Sequence, residues 1–148
     1  MLPFAGKGSL IRPWEVSDLA RRFRSAREAY EWVRNNIRYR PELRTDVWQP
    51  PGLTLELGDG DCEDQAVLLA SILEAMGTRA RLNYGVALGV FHVWSEAGPL
   101  WRVYDPAMGQ EFPRSELPLR GYLELVHIYR DREVPAPIDN LFSLAEVI

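Results

Sequence analysis

The side chains able to carry covalent or proton-transfer chemistry are few enough to follow one by one: a single cysteine and two histidines in 148 residues. Cys62 lies in Gly58-Asp59-Gly60-Asp61-Cys62-Glu63-Asp64, directly before an apolar run. A thiol at a helix start faces backbone N–H groups without intrahelical partners and the positive end of the helix dipole, and both favour the thiolate. The four acids around Cys62 act in the opposite sense, because they disfavour another anion. A nucleophilic Cys62 therefore needs a cation from elsewhere in the fold, and a protonated imidazole is the usual source. The competing reading is a small buried cysteine that merely packs.

His92 sits in Val90-Phe91-His92-Val93-Trp94, and Asp105 closes Trp101-Arg102-Val103-Tyr104-Asp105-Pro106. If the two segments form an antiparallel hairpin, parity decides whether the pair can meet. A two-residue Ala97-Gly98 loop pairs Glu96 with Pro99 and leaves His92 diagonal to Asp105 on one face. A four-residue loop sets the two directly opposite, and a three-residue loop separates them onto opposite faces. In the first two cases the carboxylate can hold one ring nitrogen while the other faces a thiol, the logic of nucleophile, base and orienting acid. Asp before Pro is also an ordinary turn starter. His127, the rival base, is read as having no acid nearby in sequence and therefore as structural.

The acidic run is spaced somewhat like a calcium loop but lacks the glycine and closing glutamate such a loop needs. Capping of the following helix explains these acids more simply, so no metal ligand set and no cofactor is assigned.

Several elements must position these groups. Ser25 and Glu28 form a capping-box pair, and Ala26, Ala29, Tyr30, Val33 and Ile37 recur at helical spacing up to Asn35-Asn36. A shorter helix over 17–23 precedes it, and residues 1–16 read as an arm packed by Phe4, Leu10, Ile11 and Trp14. Residues 38–60, rich in Pro and Gly, read as a long connection, a kind that is often functional. The strongest helix spans 61–76 and is apolar nearly all round, with Gly77 as its stop. The period then changes to that of strands at 79–88, 90–96, 100–105 and 122–130, with a tail over 131–148 holding a short turn at 141–147. Helices followed by an antiparallel sheet make one α+β domain over 1–148.

Composition narrows the function. A lone cysteine excludes an internal disulfide or a cysteine-rich zinc site within these residues. A net charge of -4 gives no footing for nucleic acid. The charge is uneven: residues 12–44 hold nine arginines against five acids, whereas residues 45–64 hold six acids and no base. This pattern predicts a mildly acidic rim near the thiol. No apolar stretch is long enough to cross a membrane, and the N-terminus lacks a signal-peptide pattern, so the expectation is a soluble protein of a reducing cytoplasm.

Trp48-Gln49-Pro50, Thr54-Leu55, the Gly58 to Asp64 run, the helix ending Leu73-Glu74-Ala75-Met76-Gly77, His92-Val93-Trp94 and Tyr104-Asp105-Pro106 together resemble the transglutaminase-like superfamily of papain-like cysteine enzymes. The resemblance covers about residues 25–106, and its most specific part is Gly-Asp-Cys-Glu-Asp before the buried helix. It implies a nucleophile helix packed on an antiparallel sheet, and a Cys62, His92, Asp105 triad that attacks an amide carbonyl to form a thioacyl enzyme. Water as acceptor gives a peptidase or amidase; an amine gives an acyltransferase. A catalytically retired binding module is the third reading. The resemblance also implies an oxyanion hole combining the Cys62 backbone N–H with a side-chain donor. Gln49 is the first candidate for that donor, and Trp48 or Tyr39 the reserves. Trp48, Asp61 and Trp94 are expected to line the cleft for a protein or peptide substrate. Without flanking β domains, the chain fits a small stand-alone enzyme of prokaryotic or viral type.

Overall fold

The computed structural model describes residues 6–41 and 47–147, with side chains through Leu141. Short 3-10 turns at Lys7–Leu10 and Pro13–Glu15 lead into α1 (Ser17–Ala20) and α2 (Ala26–Asn36). Ser25 caps α2 by accepting from Glu28 N at 3.2 Å, while the Glu28 carboxylate accepts from Arg24 N at 2.8 Å. The reciprocal box is thus displaced by one residue from the expected one. Ala29, Tyr30 and Val33 form the buried stripe of this helix. Ile11 is buried as expected of the N-terminal arm, but Trp14 is 63% exposed beneath the Arg130 guanidinium. Phe4 lies outside the described residues.

The connection after α2 is more ordered than its Pro and Gly content suggests. It contains β1 (Arg38–Tyr39), α3 (Pro51–Leu57) and β2 (Asp59–Gly60), with β1 and β2 pairing in parallel. Pro51 sits at the first position of α3, where its missing N–H costs nothing, so a residue read as part of a connection begins a helix. Gly58 ends α3 in the left-handed region at φ 71°.

Helix α4 (Cys62–Ala75) is the centre of the molecule. Every residue from Asp64 to Leu73 is buried, a pattern possible only for a helix covered on all sides. Helices α1, α2 and α3 cover one side, and the sheet covers the other. Each fully buried leucine here, such as Leu68 or Leu69, contributes about 2 kcal/mol of transfer free energy. The helix ends in a Schellman motif: Gly77 N donates to Glu74 O at 3.0 Å and Thr78 N to Leu73 O at 2.9 Å, with Gly77 at φ 86°.

The main sheet is antiparallel and has six strands in the order β6-β5-β4-β3-β7-β8. In chain order these are β3 (Ala80–Ala87), β4 (Val90–Ala97), β5 (Arg102–Asp105), β6 (Gln110–Phe112), β7 (Tyr122–Ile128) and β8 (Glu133–Pro135). The α+β architecture matches the expectation. Strands β6 and β8, three residues each, are too short to show a period, and the C-terminal tail is a 12-residue helix, α5 (Ala136–Val147), rather than a short turn. No helix among the described residues is long and apolar enough to cross a membrane.

One sheet face, including Leu82, Val93 and Ala97, packs on α4 in the main core; the other carries a second apolar cluster of Ala87, Trp94, Val103, Phe112, Leu117 and Tyr122. Beside that second cluster runs a buried charged network of Arg81, Asn83, Glu96, Arg114, Glu124, His127 and Asp139.

Candidate active site

The β4–β5 turn decides whether His92 and Asp105 can meet. Ala97 pairs with Arg102, leaving the four residues Gly98 to Trp101 in the turn. The turn has the length of the four-residue loop considered above but is shifted one residue along the chain, so parity is kept and His92 lies diagonal to Asp105 on one face rather than directly opposite it. His92 Nε2 donates to Asp105 Oδ2 at 2.7 Å, with both residues buried. Asp105 divides its oxygens between two tasks. Oδ1 accepts from Met108 N at 3.3 Å and holds the turn after Pro106, while Oδ2 receives His92 and the Tyr122 hydroxyl, the latter at 2.6 Å. Asp105 thus both starts the turn and holds one nitrogen of the His92 ring.

With two donors converging on Oδ2, the ring proton of neutral His92 belongs on Nε2, and Nδ1 carries the free lone pair. Trp94 stacks beside the imidazole with ring centroids 6.2 Å apart, and Tyr122 meets Trp94 edge-on at 4.9 Å. The imidazole is thus gripped by an aromatic floor.

Cys62 is the first residue of α4 and is partly exposed. Two features fix its place. Ser95 Oγ donates to Ala66 O at 2.8 Å, tying β4 to the helix one turn from its tip. Four helical residues rise about 6 Å and two strand residues about 6.8 Å, so stepping from Ala66 to Cys62 matches stepping from Ser95 to Val93. Accordingly, the Val93 backbone N–H is directed at the Cys62 sulfur. That N–H is available because β5 ends at Asp105, where Pro106 supplies no ladder donor, so β4 residues 90–94 have no partner on the β5 side. The thiol occupies the edge left open there, at the residue that follows His92 in β4.

Burial pushes the Cys62 thiol up to about 12; the Val93 N–H opposes this, and Glu63, Asp61 and Asp105 reinforce it. The acids thus act on the thiol as expected, but most do not form an open rim. Asp61 is the buried N-cap of α4 and accepts from Asp64 N at 3.0 Å, while Asp64 accepts from Asp61 N at 3.1 Å. Asp59 pairs with Arg40 at 2.9 Å. The expected acidic lining, including Asp61 as a cleft residue, is corrected to helix capping. Gly60 serves the same cap: a Cβ there would stand 2.6 Å from that of Asp64.

Gln49 donates to Asp64 through both its backbone N, at 2.7 Å, and its side-chain Nε2, at 2.9 Å. Burial pushes Asp64 up to about 7, against the pull of the Gln49 donor and with the push of Asp61. One amide hydrogen of Gln49 remains uncommitted among the described residues. Trp48 and Trp94, expected as cleft walls, are 7% and 0% exposed; Trp48 belongs to the main core and Trp94 lies beneath His92. Tyr39, 52% exposed, is an aromatic within electrostatic reach of Cys62.

His127 is structural, though not for lack of acids. Glu124, three residues earlier, and Asp139 of α5 take its two ring nitrogens at 2.8 and 2.7 Å. Glu96, Glu124 and His127 bring ligand atoms within 4.8 Å of one another, but Asn83 and Arg114 already engage both carboxylates, making an ion-pair network rather than a vacant ligand set. Tyr122 was not singled out in the sequence: it lies 17 residues beyond Asp105 in a strand with no local mark of its role.

An antiparallel sheet packed on a buried helix that carries a thiol at its tip, with a histidine–aspartate pair alongside, defines a papain-like architecture. The sequence profile of the transglutaminase-like superfamily core matches residues 15–107, and the chain belongs to that superfamily. Its fold is shared with Legionella pneumophila LapG, solved calcium-bound (TM-score 0.65, 18% identity, 85% of this chain and 88% of that one) and EGTA-treated (0.66, 15%, 84% and 85%). It also resembles a proposed cysteine protease from Cytophaga hutchinsonii, with TM-score 0.62, 21% identity and 76% of this chain covered. The chain spans about two-fifths of that protein, 41%. No curated protein sequence matches significantly.

Proposed function

We propose that the chain is a thiol hydrolase of peptide, isopeptide or other amide bonds. The observation that carries this reading is the His92–Asp105 pair, with Nδ1 left as the basic nitrogen, beside a helix-tip thiol. In the proposed cycle the Cys62 proton passes to His92 Nδ1 and the sulfur attacks the amide carbonyl carbon. The carbonyl π electrons move onto oxygen. Collapse of the tetrahedral adduct expels the amine, which takes the proton from Nδ1, and leaves a thioacyl enzyme. Water, deprotonated by His92, then releases the carboxylic acid and the free thiol.

Asp105 orients the ring and Tyr122 holds Asp105. The Cys62 backbone N–H, which no described residue accepts from, is the first oxyanion donor, and the remaining amide hydrogen of Gln49 is the second.

The test is incubation of the protein with a peptide mixture in the presence and absence of a labelled primary amine, with products read by mass spectrometry. Hydrolysis that is lost in Cys62→Ala supports the proposal. Incorporation of the amine in preference to water would make the protein an acyltransferase, and no Cys62-dependent product with either acceptor would count against catalysis.

A further inference from the structure

His92, Trp94 and Glu96 alternate along β4 and stand in one row on the sheet face turned away from α4. Glu96 is fully buried, and no step of the proposed cycle uses it. Taking a carboxylate out of water is costly unless donors surround it. Arg81, the residue paired with it on β3, donates to Oε1 at 2.8 Å, and Asn83 donates to Oε2 at 3.0 Å. Arg114 reaches both oxygens, at 3.3 and 3.4 Å. A further donor comes from within the row: Trp94 Nε1 donates to Glu96 Oε2 at 3.0 Å. From that anchor the indole extends back over Gly85, the residue paired with His92; a Cβ on Gly85 would stand 2.9 Å from Trp94 Cη2. There it meets the His92 ring, with centroids 6.2 Å apart and planes inclined by 28°.

The bond to Asp105 holds the imidazole at one point, about which the ring can pivot and swing Nδ1. The Trp94 plane blocks that pivot provided the indole itself cannot turn. Turning it would leave a buried N–H without its acceptor, which is costly. Glu96 cannot follow the indole, because Arg81 and Arg114 grip it from β3 and from the turn before β7. The same two arginines also hold Asp139 and Asn140 of α5, a task of docking alone; the indole bond is the arm of the network that points to the site. We infer that Glu96 is a positioning residue: it fixes the plane of Trp94 and, through that plane, the direction of His92 Nδ1. Its consequence for catalysis rests on the proposed thiol chemistry, whereas the ring geometry does not.

The test is a double-mutant cycle. Trp94→Phe keeps a ring against His92 and removes the indole N–H. Glu96→Gln leaves one oxygen, which the two guanidiniums attract, so it too breaks the bond to Trp94. His127→Gln loosens the same charged network without touching that bond, and it leaves His92 as the sole imidazole, which identifies its ring ¹⁵N signals. Alkylation of Cys62 by iodoacetamide near neutral pH is expected to slow about tenfold in Trp94→Phe and in Glu96→Gln, and no further in the double variant, since both remove one interaction. In His127→Gln the Tm falls and the rate holds. The ring nitrogens of His92 give a readout that needs no thiol: one N–H and one lone-pair signal in the native protein, drawn toward each other in both variants as the ring turns over. Trp94→Phe keeps every charge and carries the test alone should Glu96→Gln not fold. Additive rate losses, a loss in His127→Gln equal to that in Trp94→Phe, or unmoved His92 signals overturn the positioning role. Labelling that ignores His92→Ala while those signals move refutes the thiol chemistry and leaves the positioning intact.

Discussion

The environment of Cys62 permits a quantitative test of whether His92 supplies the missing cation. Burial and three acids hold the thiol at about 12 when no imidazolium faces it. Near pH 7.5 the thiolate fraction would then be about 3 × 10⁻⁵, roughly 3,000-fold below that of an ordinary cysteine. Greater intrinsic nucleophilicity at the higher value returns a factor of about 30 to 50. His92→Ala should therefore react with iodoacetamide about 100-fold more slowly than free cysteine, and its rate should rise nearly tenfold per pH unit between pH 7 and 10.

In the native protein, half-ionisation near pH 7.5 requires about 6 kcal/mol in favour of the thiolate. An imidazolium about 3.5 Å away supplies about 4.7 kcal/mol at an effective dielectric constant of 20. The helix N-terminus adds about 1 kcal/mol, so the sum closes. The native rate should show a plateau through neutral pH and exceed that of the variant by at least about 100-fold. The assay is pH-resolved alkylation of Cys62 followed by mass spectrometry. Superimposable profiles for the two proteins, both climbing without a plateau, would refute the ion-pair reasoning.

Tyr122→Phe removes one buried donor from the Asp105 carboxylate, a bond worth about 2 kcal/mol; kcat should fall about tenfold with KM little changed and the alkylation plateau displaced. An unaltered plateau would reduce Tyr122 to packing. Ser95→Ala releases the tie between β4 and Ala66 and should lower Tm by only about 2–4 °C, yet slow Cys62 labelling about tenfold or more, because small displacements of a reacting group are costly. For Glu124, burial pushes the carboxyl up, but hydrogen bonds from His127, Arg114 and Asn83 prevail and hold it at about 2, below its ordinary 4.5. A folded-state value below the unfolded one gives stability that is present above about pH 4.5 and lost as pH falls toward 2. The stability difference between the native protein and Glu124→Gln, measured by denaturant titration, should therefore shrink from pH 5 to pH 3; a difference independent of pH would contradict this.

The sequence is most legible where one local rule decides an outcome. The period of α4, its aspartate cap and Gly77 as its stop are local, and so is the parity that brings His92 to the same face as Asp105. What stays hidden depends on distant partners. Trp94 is conspicuous and next but one to His92, which suggests a cleft wall, but a strand crossing from β7 brings Tyr122 against it and closes the space. The acid run suggests an exposed rim, whereas the fold pairs Asp59 and buries Asp61 and Asp64. Strands of three residues carry too few alternations to show a period, and α3 is masked because a proline that starts a helix has the same letter as one that breaks it.

The location of the site follows from a mismatch in strand length. Strand β4 has eight residues, of which only Ser95 to Ala97 pair with β5, so residues 90–94 present an unpaired edge on that side. Such an edge is ordinarily a liability that invites association. Here the start of α4 is brought to it, and the Val93 N–H is given a sulfur acceptor in place of a strand. The Asp105-Pro106 pair produces this arrangement with two adjacent residues. Proline ends the ladder and opens the edge, while aspartate, the last residue of β5, stands where it can hold the imidazole that projects beside the gap. A longer β5 would give Val93 a strand partner and leave no room for the thiol; a shorter one would carry Asp105 out of reach of His92. The helix cap, the tie from Ser95 to Ala66 and the early end of β5 together place a partly exposed thiol at the strand edge that leads to His92, whose Nε2 is already held.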